Sequence, residues 1–433
     1  MDAAAVTVVA LLVVAWGLCS TRLGRADLSA PIVFVASGLL LSEGLHLIEV
    51  DVSHEVIKVL AEVTLVWVLF ADASRVRLRD LRGDLGLYAR LLAVGLPLTI
   101  LAGALLAVLM FDGIGVWLAV LVGAALAPTD AALGAAVMAD PAVPARVRRV
   151  LNVESGLNDG IATPVVMIAV AGAAAADNIA GASGPGAALI DLALGLGFGI
   201  VVGVVGGRAT RIARRRGWTS EDFLGPSVLA LAVTAYAAAL WLDGNGFVAA
   251  FVAGLAFGND AGRGGVKEVF YVEQSAGLAS LLTWLIFGAV AVPAVVEQTD
   301  WRVIAYAVLS LTVVRMVPVA LALAGAGLRV PTMGFIGWFG PRGLASIIFA
   351  LIALEELHVE AERAVAVVGV TVLLSVVAHG ASAKPLSARY GAWAAASAPE
   401  PGGAGVLPSL PVRGLGHREP SARTRPPDEE RGE

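Results

Sequence analysis

The chain has 433 residues, 58% of them hydrophobic and only 15% charged, with a mean hydropathy of +0.83. Soluble domains carry about 25% charged residues, so composition excludes an ordinary soluble enzyme and points to a membrane protein. The net charge of −5 offers no basic footprint for nucleic acid, and the single cysteine, Cys19, cannot form an intramolecular disulfide.

Breaks between apolar runs give about thirteen expected spans. They lie near 3–19, 30–44, 54–73, 87–111, 114–137, 150–174, 186–208, 222–241, 245–258, 274–295, 302–325, 332–356 and 362–381. The first run lacks a basic flank and reads as a span rather than a cleaved leader. Basic residues fall in alternate loops, as in Arg75–Arg82, Arg146–Arg149 and Arg208–Arg216, while the intervening loops carry acids such as Asp112, Asp177 and Asp243. The positive-inside rule then places the N-terminus outside and the C-terminus in the cytoplasm, which requires an odd number of spans. The heavy use of Ala, Arg, Gly and Val fits a GC-rich bacterial source and hence an inner membrane.

In the fifth run, Pro128 stands just before Thr129 and Asp130. Proline lacks the N–H and clashes with the preceding turn, so a helix break is expected there, with carbonyls free to meet a cation where they line a cavity. The sixth run holds L-N-V-E-S-G-L-N-D-G at 151–160, with Glu154, Ser155, Asn158 and Asp159. On a helix these crowd one face, since 154/158 and 155/159 are i,i+4 pairs. Asp159 lies about 13 Å into the expected span, near the middle of a core about 30 Å thick. An acid at that depth costs at least about 2.5 kcal/mol, so it marks a function by default. Such a carboxylate can hold either a proton or a hard cation, and that competition is what an antiporter needs.

The seventh run carries Gly195, Gly199, Gly203 and Gly207 at i+4 spacing. This ridge allows close helix contact, either inside one protomer or at a dimer seam. Arg315 lies inside the eleventh run and needs a partner. Glu154 is the expected one, as a structural ion pair, although a swap with Arg342 is open. The twelfth run is interrupted at Gly340-Pro341-Arg342-Gly343. Arg342 there would satisfy carbonyls and balance half-helix ends. Runs five and twelve are equivalent if runs 1–6 and 8–13 are inverted repeats, and paired breaks of this kind mark a midplane transport site. His46, His54, His358 and His379 fall near span ends and read as interfacial, while Trp117, Trp218, Trp241 and Trp301 read as belt anchors. From Ala392 the composition turns to Pro, Gly, Ala and charged residues, which reads as a disordered cytoplasmic tail over roughly 391–433.

The strings N-V-E-S-G-L-N-D-G, A-P-T-D and F-G-P-R-G together resemble the bacterial monovalent cation:proton antiporters of the NhaP type, within the Na+/H+ exchanger family, over residues 1–390. The resemblance implies an all-α homodimer with thirteen transmembrane helices per protomer, in which broken helices 5 and 12 cross at the midplane. It implies a cation and proton site on Asp159, Asp130, Ser155 and the carbonyl of Thr129, with Asn158 as companion and Glu154 and Arg315 as ion pair. The Asn-Asp pair implies electroneutral exchange of one Na+ (or K+ or Li+) for one H+, without a cofactor. Ala131 departs from the proline that often follows the aspartate in the family. No P-loop, G-x-S-x-G or H-E-x-x-H pattern supports nucleotide use or hydrolysis. A cation channel and a proton-coupled solute transporter are the rival readings.

Overall fold

The computed structural model describes residues 3–25, 28–44, 54–79, 81–177, 179, 184–261 and 265–397. His46 and the tail from residue 398 lie outside these. The described residues contain no strand. Eighteen α-helices are labelled here in chain order: α1 Ala3–Arg25, α2 Ala30–Leu39, α3 His54–Arg75, α4 Leu85–Arg90, α5 Leu96–Met110, α6 Val116–Ala125, α7 Ala135–Ala139, α8 Ala145–Ala176 and α9 Pro185–Arg215. The series continues with α10 Glu221–Leu240, α11 Gly246–Asp260, α12 Gly265–Ile286, α13 Val292–Glu297, α14 Trp301–Leu311, α15 Val313–Leu323, α16 Val330–Trp338, α17 Leu344–Leu357 and α18 Glu362–Ala396. Single π-helical turns extend α2, join α4 to α5 and join α12 to α13.

Among the described residues, eight continuous helical stretches are long and apolar enough to cross a membrane. They coincide with eight of the thirteen expected spans. The other five fall short for identifiable reasons. Helix α3 carries Glu55, Lys58, Glu62, Asp72 and Arg75 within its 22 residues. The stretch 30–44 and α11 are short, and the fifth and twelfth runs are interrupted: α6 ends at Ala125 with α7 starting at Ala135, and α16 ends at Trp338 with α17 starting at Leu344. The outward faces are apolar, as Leu11, Leu18, Leu101, Leu105, Leu109 and Val201 illustrate, which is the surface a bilayer covers.

One feature differs from expectation, and two others gain definite packing partners. Helix α18 runs six residues past Tyr390, because that end is packed: Tyr390 stacks on Phe335 with centroids 4.2 Å apart and donates to Thr332 Oγ1 at 3.0 Å. Trp117 is half-buried at the start of α6. Gly172 faces its ring, whereas Trp218, Trp241 and Trp301 are exposed as a belt requires. The glycine ridge of α9 is occupied within the protomer by α11. A Cβ on Gly199 would lie 2.7 Å from the Ala249 carbonyl, and one on Gly203 2.8 Å from the Ala253 Cα. Gly254 and Gly258 of α11 meet the backbone of Phe70 and Ser74 in the same way, so α11 is held between α9 and α3. That packing anchors α3 beside α8, where the polar residues sit.

Candidate functional site

The buried polar residues converge where the two interruptions meet the middle of α8. At the first interruption the Asp130 N–H donates to the Pro341 carbonyl at 2.8 Å, joining one break to the other by backbone. Asp130 Oδ1 accepts the N–H groups of Ala132 (2.7 Å) and Leu133 (3.2 Å), and Oδ2 accepts the N–H of Leu344 at 3.0 Å. Oδ1 therefore holds the turn that follows the first interruption, and Oδ2 caps the start of α17 on the other side of the junction.

Arg342 supplies the complementary charge. It is fully buried, and its guanidinium donates to the carbonyls of Ala127 and, at 3.1 Å, Pro128, the acceptors left orphaned where α6 stops. The two glycines flanking Pro341 and Arg342 allow this closeness. A Cβ on Gly340 would lie 2.6 Å from Arg315 Nε and 2.9 Å from Thr129 Cγ2, and a Cβ on Gly343 would collide with the Asp130 side chain. The G-P-R-G string is thus a space requirement.

Glu154 and Arg315 pair as expected. Glu154 Oε1 stands 2.7 Å from Arg315 Nη2, with side chains 4% and 2% exposed. The burial decides the energetics: each charge is tolerable only with the other. Arg315 is delivered by α15, which begins after a helical irregularity at Thr312, and Arg342 takes the carbonyls instead of an acid.

Thr129, Ser155 and Asn158 form one cluster. Thr129 Oγ1 is 2.8 Å from Ser155 Oγ and accepts from Asn158 Nδ2 at 2.7 Å. Asn158 Oδ1 is buried without a hydrogen-bond partner. An orphaned buried acceptor is costly unless a donor or cation completes it. Asp159 is buried on the next position of α8, one turn beyond Ser155, and its carbonyl accepts the Thr163 hydroxyl at 2.7 Å. The described residues hold no group of three or more His, Cys, Asp and Glu set for a metal ion. The ligand chemistry on offer is one carboxylate with hydroxyl, amide and carbonyl oxygens, which suits a weakly held monovalent cation better than a divalent one.

A cavity of about 640 Å³ opens between α3, α8, α9, α10, α11 and α17, with Glu62, Asp191, Asp243 and Glu356 among its lining residues. Its wall includes Met167 of α8, eight residues or about 12 Å beyond Asp159. The Tyr236 hydroxyl donates to Glu62 at 2.9 Å in that wall.

Sequence reasoning missed three groups. Asp72 is buried on α3, with its backbone carbonyl facing Gly156 of α8 at 3.7 Å from a Cβ built there. Its charge lies close to Arg75 in sequence, beside the edge of the expected span at 54–73. Ser375 and His379 of α18 are buried as well, and His379 is not interfacial. The i,i+4 spacing of a hydroxyl and an imidazole in an apolar run was the available signal.

Residues 8–389 match the family described as "Sodium/hydrogen exchanger, transmembrane". The chain belongs to this family. It is 26% identical over 368 residues to the K(+)/H(+) antiporter NhaP2 of Shewanella sp. strain MR-4, covering 84% of this chain and 62% of that protein. It is 27% identical over 341 residues to the K(+)/H(+) antiporter NhaP of Alkalimonas amylolytica, covering 77% of this chain and 57% of the relative. The chain thus spans about three-fifths of the length of these relatives. In fold it is similar to the sodium proton antiporter MjNhaP1 from Methanocaldococcus jannaschii, with a TM-score of 0.73 at 20% identity over 89% of this chain and 98% of that one.

Proposed function

We propose that this member of the sodium/hydrogen exchanger family exchanges a monovalent cation for a proton at Asp159 by alternating access. The observation that carries the reading is a buried acid, Asp159, on the helix that also brings Ser155 and Asn158 to Thr129 at the first interruption. Asp130 is committed to three backbone N–H groups and Glu154 to Arg315, so both are held in place. Asp159 is the buried acid that follows Asn158 on α8, one turn beyond Ser155, so it stands on the same stretch of helix as the Thr129–Ser155–Asn158 cluster.

Ionised, Asp159 binds a cation completed by these oxygens and the Thr129 carbonyl. Neutral, it holds a proton in the same place. With one titrating carboxylate, one charge enters for each that leaves, and exchange is electroneutral. Asp130 acts in this account as the acceptor that keeps the junction closed rather than as a direct ligand. The acidic cavity beyond Met167 is the route from one side of the membrane. Thirteen spans in two inverted repeats, a homodimer, and arginine-rich loops on the cytoplasmic side of a bacterial inner membrane complete the proposal. Na+ is the first cation to test. K+ is the second reading, favoured by the names of the relatives.

The test is proton flux in proteoliposomes with an acid lumen, pulsed with Na+, K+ or Li+ and compared with Asp159→Asn. Cation-dependent alkalinisation, unaffected by clamping the voltage at zero and lost in the variant, is the expected outcome. Flux without a counter-ion would identify a channel, and an unchanged variant would remove Asp159 from the mechanism.

A further inference from the structure

A buried imidazole that the exchange chemistry does not use closes the second interruption from behind. His379 lies on α18 and is 4% exposed. Its Nε2 is 2.8 Å from the carbonyl of Trp338, the last residue of α16. That carbonyl can only accept, as can the Ser375 carbonyl near Nδ1; the tautomer with its proton on Nε2 serves Trp338 and leaves Nδ1 to accept from the Ser375 hydroxyl. Nδ1 lies 3.1 Å from Ser375 Oγ, one turn earlier on α18, and 2.8 Å from the Ser375 carbonyl. Ser375 Oγ in turn accepts the backbone N–H of Arg342 at 2.7 Å. A single chain of hydrogen bonds therefore runs from Arg342 N–H through the Ser375 hydroxyl and the imidazole to the Trp338 carbonyl. It connects the two backbone groups on either side of the break.

Two further contacts fix the ring. It stacks on the Trp338 indole at 5.2 Å and 30°, and Trp338 Nε1 donates to Ser382 Oγ at 2.9 Å. Three polar side chains of α18, at 375, 379 and 382, thus hold the end of α16 and the start of the break.

We infer that His379 is a positioning residue for the cation site: with Ser375 it staples the α16–α17 interruption so that Arg342 reaches the carbonyls of Ala127 and Pro128. The inference rests on the exchange reading above. The path to the site is short. Arg342 holds Pro128, and the next two residues are Thr129 and Asp130, which carry the hydroxyl cluster and the α17 cap. Without the imidazole, the Trp338 carbonyl loses a buried donor and the Ser375 hydroxyl that accepts from Arg342 N–H loses its acceptor, and the break relaxes. The charged groups acting on the ring are Arg342 and Arg315. In this role the ring is a neutral donor–acceptor and carries no transported proton. Glutamine can replace it: its amide N–H reaches forward and its amide oxygen accepts from Ser375.

The experiment compares wild type, His379→Leu and His379→Gln as full-length protein, by exchange kinetics in proteoliposomes and by hydrogen–deuterium exchange in detergent. His379→Leu is expected to raise the cation KM about tenfold, the size of one net buried hydrogen bond, with kcat little changed. It is also expected to speed deuteration of the peptide spanning 338–345. His379→Gln restores the KM, the protection and the wild-type pH profile. A His379→Leu protein with wild-type protection at 338–345 overturns the inference, whether or not exchange is detected. So does a His379→Gln protein that protects no better than leucine, or one whose pH profile flattens, which would make His379 a proton site. Failure of wild type to exchange any cation would instead strike the exchange reading.

Discussion

Asp130 and Arg342 serve each other's interruptions: Asp130, which follows α6, accepts the Leu344 N–H that opens α17, while Arg342, which precedes α17, donates to the Ala127 and Pro128 carbonyls just past the end of α6. Each interruption carries the charge that the other one lacks. The positive N-terminal end of α17 meets a carboxylate, and the negative C-terminal end of α6 meets a guanidinium. Backbone groups that would be intolerable in a bilayer are satisfied inside the protein.

This reciprocity makes Asp130 sensitive to small changes. In Asp130→Asn one side-chain oxygen remains to serve three N–H groups, and the amide nitrogen faces donors. Leaving a buried donor unmet costs about 1–3 kcal/mol. A fall in thermal stability in detergent is expected, together with loss of exchange. Gly343→Ala should do the same by steric contact with Asp130, without altering any charge. A wild-type melting temperature in both variants would show that the caps are dispensable.

The Glu154–Arg315 pair gives a second prediction. Glu154→Gln leaves Arg315 buried without its counter-charge, and Arg315→Met leaves Glu154 in the same state. Each should cost about 3–5 kcal/mol. Glu154→Gln combined with Arg315→Met removes both charges and should be more stable than either single variant. The double-mutant cycle is read from thermal or denaturant unfolding in detergent. Additive losses would mean that the two side chains do not compensate each other.

Much of this site was legible in the sequence because charges in apolar runs have few places to go. Glu154, Arg315, Asp159 and the G-P-R-G break are each conspicuous against aliphatic neighbours. The role of Asp130 as a cap across the junction was hidden, since it depends on which helix end lies opposite in space. His379 was misplaced for a related reason: α18 continues to Ala396, so a residue expected near the span end lies well inside the helix. The glycine ridge on α9 could be read as a close-contact face, but only the position of α11 decides its partner.

Acid stability can be traced at the loop before α14, outside the spans. Asp300 caps that helix: the Val303 N–H, at 2.9 Å from Oδ1, and then the Arg363 guanidinium at 2.7 Å from Oδ2 hold its carboxyl below the usual carboxylate range. A folded pKa below the unfolded one stabilises the protein above the unfolded value, about 3.9, and that contribution disappears as pH falls through the folded value. The side chain is 42% exposed, so solvent keeps the effect small. Melting curves from pH 5 down to pH 3 should fall less steeply in Asp300→Asn than in wild type. Parallel curves would place the acid sensitivity elsewhere.

Thr129→Val tests the cluster beside Asp159 without touching a charge. Valine keeps the shape but removes the hydroxyl that meets Ser155 Oγ at 2.8 Å and accepts from Asn158 at 2.7 Å. The Asn158 amide, already carrying one unpartnered oxygen, then loses its donor contact too, and its orientation is no longer set. Oxygens that are misplaced by even an ångström bind a dehydrated cation poorly, whereas a proton on Asp159 needs no such shell. The cation KM should therefore rise by about tenfold or more, the cost of at least one buried hydrogen bond, with little effect on the maximal rate. Thr129→Ser retains the hydroxyl and should stay near wild type. If serine and valine behave alike in a KM measurement across Na+ and K+, the hydroxyl cluster does not shape the ion site, and the Thr129 carbonyl is the remaining contribution of that residue.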